Sequence, residues 1–358
     1  MGRCQKRIKG TPMKTIQSLV FVTLILLVLN VCASLLFAKA PTTPKILFTS
    51  VRDGNYEVYI MNPDGSEQVN LTQHQAQDLS AVWSPTGEQI LFVSDRQGTR
   101  VRNLYVMNPD GSNVRRVFKK KITAWRDSPT CSPDGKQFAY NYMDWDRRKS
   151  GLYLGTFGEE DVEPLPYGSS PAWSPDGSEI ACSVGHAAGT RLTFINVNAR
   201  DREQPLPDKV LPWQLDPSWP AMADKLAFSG NKHPIPDIKG KELHEARELH
   251  KAWKAKQSIF IVNRDGTDLR QLVEEAGPYT QYPELSPNGE EVLYTQEING
   301  RLQIFKVDVN SGVLTQLTHV GMPRFGNFGG DWFDPAYALP VSPQPHLLTT
   351  TWGDVKKQ

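Results

Sequence analysis

Cysteine is scarce. Four occur in 358 residues, and only Cys131 and Cys182 lie beyond residue 40. So few exclude a fold stapled by a framework of disulfides and a zinc site built from cysteine pairs. Cys131 and Cys182 both fall where strand residues are expected, and each reads as a small core residue; an oxidising compartment would allow them at most one bridge. Acidic residues are missing from the start of the chain: residues 1–40 hold six basic residues and no acidic one, so the remainder carries 34 basic against 39 acidic residues. A mildly acidic body argues against nucleic acid as a partner. Catalytic signatures are missing too. No G-x-S-x-G elbow, P-loop or dinucleotide fingerprint occurs, and His244-Glu245 is followed by Arg247 and Glu248 where a zinc-binding H-E-x-x-H motif needs histidine.

The charge asymmetry belongs to an export segment. Basic residues lead into Ile16–Ala38, which has no charged residue and an apolar centre from Leu19 to Leu29. Ala38 and Ala40 then form an A-x-A pattern before Pro41, the layout of a secretory signal peptide. Left uncleaved, the uncharged stretch would span roughly 34 Å as a helix at about 1.5 Å per residue, enough for a membrane anchor. Contact with membrane is therefore expected only through this segment. The expected site of action is periplasmic or otherwise outside the cytoplasm, with residues 16–38 as the candidate inner-membrane anchor.

The rest of the chain repeats itself. PAWSPDGSEI, from Pro171 to Ile180, has near-copies at Ala81–Ile90, Thr130–Phe138 and Glu284–Val292. Ser174-Pro175-Asp176-Gly177 is turn chemistry: proline presets φ, aspartate folds onto the backbone and glycine takes a positive φ. The tryptophan-type position recurs at Trp83, Cys131, Trp173, Trp219, Leu285 and Trp332, at intervals of 48, 42, 46, 66 and 47 residues. Each period holds four segments with apolar alternation, as in ILFTS (Ile46–Ser50), EVYIMN (Glu57–Asn62), QVNLT (Gln68–Thr72) and AVWS (Ala81–Ser84). That pattern predicts an all-β, six-bladed β-propeller of four-stranded blades. The chain enters at the second strand of a blade, so the segment around Gly330–Pro335 should pair with the N-terminal strands and close the ring.

A second turn of the same chemistry joins the second and third segments, at Asn62–Gly65, Asn108–Gly111 and Asn263–Gly266. Alternate turns of a meander share an end, so both kinds of tight turn belong on one face. The variable connections (Arg52–Asn55, Asp95–Arg102, Lys119–Ser128, Met143–Ser150, Pro207–Asp216 and His319–Gly330) belong on the other, where binding is expected. The 66-residue interval carries an insertion in the fifth blade, residues 231–257. In it Leu243, Ala246, Leu249 and Trp253 fall at helical spacing. The expected domains are an export segment at 1–40, a propeller at 41–339 and a C-terminal extension at 340–358.

These motifs resemble the C-terminal propeller of the TolB family: Trp173–Gly177, Ser94-Asp95-Arg96 and Ser50–Asn55 are the residues that carry the likeness, which covers roughly Lys45 to Pro335. Similar repeats also build the propellers of prolyl oligopeptidase-type peptidases. The resemblance implies a periplasmic propeller that binds other envelope proteins. In TolB an α/β domain precedes the propeller, whereas here the first strand is expected at Ile46, so a role in the Tol–Pal system is not expected from the likeness.

The expected function is a non-enzymatic, protein-binding scaffold in the cell envelope, with an envelope or extracellular protein as partner. The alternative is a carbohydrate-binding or lyase-like propeller, for which His186, His233, His319 and Arg324 are available but unselected by spacing. Candidate binding-face residues are Arg52, Asp53, Asp95, Arg96, Trp125, Arg126, Trp213, His233, Trp253 and Arg324. Asp216, Glu284 and Asp331 are candidates for an axial channel able to hold a cation such as calcium; no other cofactor is implied. Recurrent Arg52, Asp53, Asp95 and Arg96 also suit ion pairs between blades. The basic run from Arg115 to Lys121 falls on an outermost strand, where charge discourages edge-to-edge pairing.

Overall fold

In the computed structural model, the described residues are 39–340, except 99–100, 121–122, 187–188, 208–209, 221, 223, 276–279 and 323–325. The export segment, Arg324 and the extension beyond residue 340 lie outside them. No helix among the described residues is long and apolar enough to cross a membrane.

Alternating apolar segments fold into antiparallel meanders. The first contains β1 (Lys45–Ser50), β2 (Glu57–Met61) and β3 (Val69–Asn70), and the second β4 (Asp78–Trp83), β5 (Ile90–Ser94), β6 (Asn103–Met107) and β7 (Arg115–Arg116). The third contains β8 (Trp125–Cys131), β9 (Gln137–Asp144), β10 (Lys149–Thr156) and β11 (Val162–Pro164). The fourth has β12 (Ser169–Trp173), β13 (Glu179–His186), β14 (Gly189–Asn196) and β15 (Arg202–Glu203). The fifth has β16 (Trp213–Ser218), β17 (Lys225–Asn231), the helix α1 (Leu243–Lys254), β18 (Ser258–Asn263) and β19 (Arg270–Gln271). Last come β20 (Thr280–Leu285), β21 (Glu291–Ile298), β22 (Arg301–Asp308), β23 (Leu314–Gln316) and β24 (Asn327–Phe333). Strand β24 pairs with β1, from Lys45 opposite Phe333 to Ser50 opposite Asn327, and completes a four-stranded sheet with β2 and β3. The fourth and fifth groups are joined into one eight-stranded sheet by a single parallel pair, Thr190 opposite Trp213.

The apolar residues of consecutive groups interlock. Leu47 and Val58 share a cluster with Trp83, Ile90 and Phe92, and Leu91 and Val93 one with Phe138 and Tyr140. Ala139 and Leu152 meet Trp173 and Ile180; Phe194 meets Trp219 and Phe228; Ile259 and Ile261 meet Leu285 and Val292. A further cluster joins the first and last sheets, packing Leu293, Ile304 and Leu317 against Ile46, Phe48 and Trp332.

The tight turns form as their residues require. In the reference turn, Gly177 N–H donates to Ser174 O at 3.0 Å, Ser174 Oγ donates to Asp176 Oδ1 at 2.6 Å, and Gly177 has φ +73°. Gly87, at φ +70°, is constrained twice, because a Cβ there would lie 2.2 Å from the Phe333 ring.

Three details differ from the sequence reading. The outermost strands are shorter than their segments suggested, two or three residues each, because only a couple of pairs form before the chain leaves the sheet. The strand that pairs with β1 is Asn327–Phe333, beginning before Gly330. In α1 the stripe of Leu243, Ala246, Leu249 and Trp253 is not a buried face: only Trp253 is buried, and Leu243 is 66% exposed.

Candidate functional site

Every innermost strand carries the same irregularity. The pairing of β4 with β5 slips between Leu79 and Val82, that of β8 with β9 between Asp127 and Thr130, and that of β12 with β13 between Ser169 and Ala172. Equivalent slips occur in β16, β20 and β24. Each is a β-bulge whose first residue is left-handed: Ser80, Ser128, Ser170, Asp216, Tyr282 and Gly329, with φ between 48° and 65°. These residues stand three before the tryptophan-type position. In four of the six the next residue is proline (Pro129, Pro171, Pro217, Pro283), which has no N–H to leave unpaired at the break in the ladder.

The bulges point to one place. All six of their first residues line a single cavity of about 470 Å³, together with Arg102, Trp125, Asp127, Asn141, Met143 and Glu284. Several bulges are pinned to the preceding group by a backbone N–H donated to a polar side chain on the neighbouring second strand. Ser80 donates to Thr49 Oγ1 at 3.3 Å, Ser170 to Asn141 Oδ1 at 3.1 Å, Asp216 to Ser183 Oγ at 3.0 Å and Gly329 to Thr295 Oγ1 at 3.0 Å. The second group has Val93 at the corresponding position, and Ser128 N–H turns instead to Asp127 Oδ1 at 2.8 Å. The cavity is thus framed by the bulged backbone, and its side chains are free to vary.

Its chemistry is acidic. Asp127 is paired with Arg102 at 2.6 Å, while Asp216 accepts from the neutral Ser170 hydroxyl, at 2.8 Å. Burial pushes the Asp216 carboxyl up, with the Ser170 hydrogen bond opposing. Burial also raises Glu284 well above the usual range, the Asp331 charge adds to this, and the Ser218 hydroxyl opposes it. Asp331 is pushed up to about 7 by burial, against backbone hydrogen bonds from Trp83 and Trp332. A protonated carboxyl in such a place is a hydrogen-bond donor as well as an acceptor.

Of the three channel candidates, Asp216 and Glu284 line the cavity and Asp331 does not. Asp331 lies nearer the turns and accepts from Trp83 N–H at 2.5 Å, tying β24 to β4. Among the described residues, no three His, Cys, Asp or Glu side chains come together as a metal site.

The binding-face candidates divide. Trp125 is half-buried at the cavity, with the Arg102 guanidinium over its ring at 4.6 Å and the exposed Trp145 edge-on at 6.3 Å. Trp213 and Trp253 do not form an open surface. Their rings meet edge-on at 5.1 Å, Trp253 is buried, and its indole donates to His233 O at 2.8 Å. With Asn231 donating to Trp253 O at 2.7 Å and His233 paired to Glu275 at 2.9 Å, these residues clamp the insertion onto its own sheet.

The recurrent arginines bind within their own sheets, not between them. Arg52 lies over Tyr59 at 4.6 Å and donates to Asn327 on β24, and Arg96 repeats the arrangement over Phe92 and Tyr105, with Asp78 on β4 as its partner at 2.7 Å. Asp53 accepts from Tyr59 and Asn70, and Asp95 from Gln77 N–H. Intergroup ion pairs lie elsewhere, as between Arg102 and Asp127 and between Arg200 and Glu163, each at 2.6 Å. Arg264, where the other turns have proline, holds Glu179 through two hydrogen bonds at 2.7 and 2.6 Å and covers Phe194 at 4.1 Å. Cys131 and Cys182 are both free thiols, Cys182 being buried and Cys131 half-buried. Arg126, expected on the surface, is buried against Phe118 at 3.8 Å.

Similarity to known proteins agrees with this architecture. A family model described as TolB beta propeller domain matches residues 37–140. An uncharacterized protein of Agrobacterium fabrum is 25% identical over 158 residues, which cover 40% of this chain and 52% of that one. The Tol-Pal system protein TolB of Alcanivorax borkumensis is 27% identical over 113 residues, covering 30% of this chain and 25% of that one. The chain thus spans about half, or less, of the curated relatives it matches. Among solved structures, TolB from Acinetobacter baumannii superposes with a TM-score of 0.64 at 14% identity, covering 81% of this chain and 66% of that one, a likeness of fold.

Proposed function

We infer that this TolB-like propeller protein is a six-bladed ring, closed by β24 on β1, that acts as a non-enzymatic protein-binding scaffold in the cell envelope. The observation that carries the reading is the cavity lined by the bulged residue of every innermost strand. A funnel built that way is held by all six blades, and its rim carries residues of the variable connections and strand ends: Arg102, Trp125, Met143 and Tyr282. Exposed Met143, Trp145 and Tyr282 supply apolar area beside it, the mixture of aromatic and charged groups that protein interfaces favour. The strand pairing of β24 with β1 and the cluster joining the first and last sheets support ring closure. The basic and apolar segment before Lys39 supports export, as a cleaved signal or an inner-membrane anchor.

Affinity capture from envelope extracts with the full chain tests this reading, with a glycan array run in parallel. The expected result is a captured protein whose recovery falls when Tyr282 and Met143 are replaced by serine. Glycan binding with no captured protein would overturn it in favour of a carbohydrate-directed propeller.

A further inference from the structure

A second cavity lies away from the funnel, between the second and third sheets. It measures about 1140 Å³ and is lined by Tyr105, Arg115 and Arg116 on one side and by Tyr142, Lys149, Tyr153 and Val162 on the other. Lys120 and Arg147 also line it, with Arg126 among its buried lining. The basic run on β7 therefore lines a cavity as well as a sheet edge.

The cations here are under-compensated. Among the described residues, no carboxylate lies within ion-pair distance of Arg115, Arg116, Lys120, Arg126 or Lys149. Arg126 is 5% exposed, donates through Nη1 to the neutral Asn103 Oδ1 at 2.8 Å, and leaves its Nε without a partner. A guanidinium so deeply placed, held by a neutral amide and the Phe118 ring, keeps a charge that a nearby anion would offset. Two carboxylates border the cleft. Asp144 is buried, accepts from Tyr142 and from Arg147 N–H, and lies 3.8 Å from the Arg147 guanidinium. Glu160 accepts from the backbone N–H groups of Lys119 and Lys120, and its charge also acts on Arg126. Two carboxylates do not balance the five cations.

The shape selects among anions. The cavity is much larger than one phosphate or carboxylate needs, and its cations come from β7, β8, β10 and two connections, so they suit charges spaced along an extended chain. Strands β7 and β11 are the outermost strands of their sheets, and each presents backbone groups that the sheet does not pair. A peptide backbone answers such an edge directly. Arginine forks, which predominate over lysine here, suit carboxylates.

We propose that this cleft binds an extended, aspartate- and glutamate-rich peptide segment of a partner protein, Arg115, Arg116, Lys120 and Lys149 taking its carboxylates above Arg126. The proposal rests on the protein-binding reading and assigns the partner's contacting segment a chemistry. The acidic funnel and the basic cleft would then engage different parts of that partner.

The test is fluorescence anisotropy of a fluorescein-labelled oligoglutamate peptide on the full chain, with oligoglutamine, an oligogalacturonate and inorganic phosphate as competitors. Oligoglutamate should bind, weaken as salt rises and resist all three competitors at equal concentration. Replacing Arg115→Gln and Arg116→Gln together should weaken it about tenfold, roughly 1.4 kcal/mol, with the melting temperature unchanged. Arg126→Lys, which keeps the charge and loses the fork, should weaken it with the fold checked by circular dichroism. Binding no better than oligoglutamine, or unchanged by the double substitution, overturns the proposal. Displacement by oligogalacturonate or by phosphate alone overturns it too, in favour of an acidic sugar or a small anion. Oligoglutamate binding without any protein captured from envelope extracts would count against the functional reading, not against the cleft. Capture that persists unchanged in the double variant would remove the cleft and leave that reading standing.

Discussion

The two cavities are built on opposite plans. The funnel takes one bulged residue from every innermost strand, so its frame comes from the repeat and its chemistry from whichever side chains the repeat leaves open. The cleft takes its cations from two neighbouring groups only, so its chemistry is local and its frame is the gap between two sheets. The funnel should therefore fail when β24 is removed, and the cleft when its arginines are. Each contrast can be broken by experiment.

The largest effect should follow deletion of the chain from Gly326 onward. It removes β24, with buried Trp332 and Phe333, and leaves β1 and Leu293 uncovered. A sharp fall in melting temperature is expected, and a truncated chain that melts with the intact one would refute ring closure. Next in size is Trp332→Ala. Burying an aromatic ring of this kind is worth about 3–5 kcal/mol, and the indole also donates to Glu284 O at 3.2 Å. Urea denaturation should show that loss, whereas Arg116→Gln in the cleft should change stability by less than about 0.5 kcal/mol. Equal effects would erase the distinction between frame and local chemistry.

A third prediction concerns pH. Asp331 has a folded value pushed up to about 7, above the unfolded value of about 3.9, and Glu284 is raised in the same direction. The folded state thus holds protons that the unfolded state releases, and stability falls as pH rises between those values, the loss being complete above the folded pKa. Asp331→Asn can still accept from Trp83 N–H through its side-chain carbonyl. It should flatten the fall and raise the melting temperature at pH 8 by roughly a few degrees. A variant with the parent's pH profile would show that the fall arises elsewhere. The smallest effect is expected from Ser128→Gly. Serine at φ 48° is strained by roughly 1 kcal/mol, part of which glycine's extra unfolded-state entropy offsets, so a gain below about 1 kcal/mol is expected in thermal melts. A loss of stability would mean that the Ser128 side chain holds the bulge.

Much of the architecture was legible along the chain, for a physical reason. Tight turns demand proline, aspartate and glycine at fixed offsets, so Ser174–Gly177 and its copies advertise the hairpins, and the spacing of Trp83, Trp173, Trp219 and Trp332 marks the period. The helical insertion was legible from its helix formers, but its buried face was not. Trp253 alone is covered, because the helix touches its sheet at one end through Trp213 and Asn231. The bulges did leave a trace that the repeat reading passed over. Pro129, Pro171, Pro217 and Pro283 stand inside strands that proline would otherwise disrupt, two residues before each tryptophan-type position. Arg126 misled because a charged residue in a variable connection reads as surface, whereas its guanidinium finds the face of Phe118.

By itself the order of residues determined the hairpins, the period and the likeness to TolB propellers, because these rest on backbone rules that act over a few residues. Only the tertiary structure decided where charge gathers. The carboxyls of Asp216 and Glu284 come to one cavity only when bulged strands converge. Arg115 and Lys149 meet across a cleft only when two sheets pack, since burial and electrostatics depend on neighbours that the chain brings together from far apart.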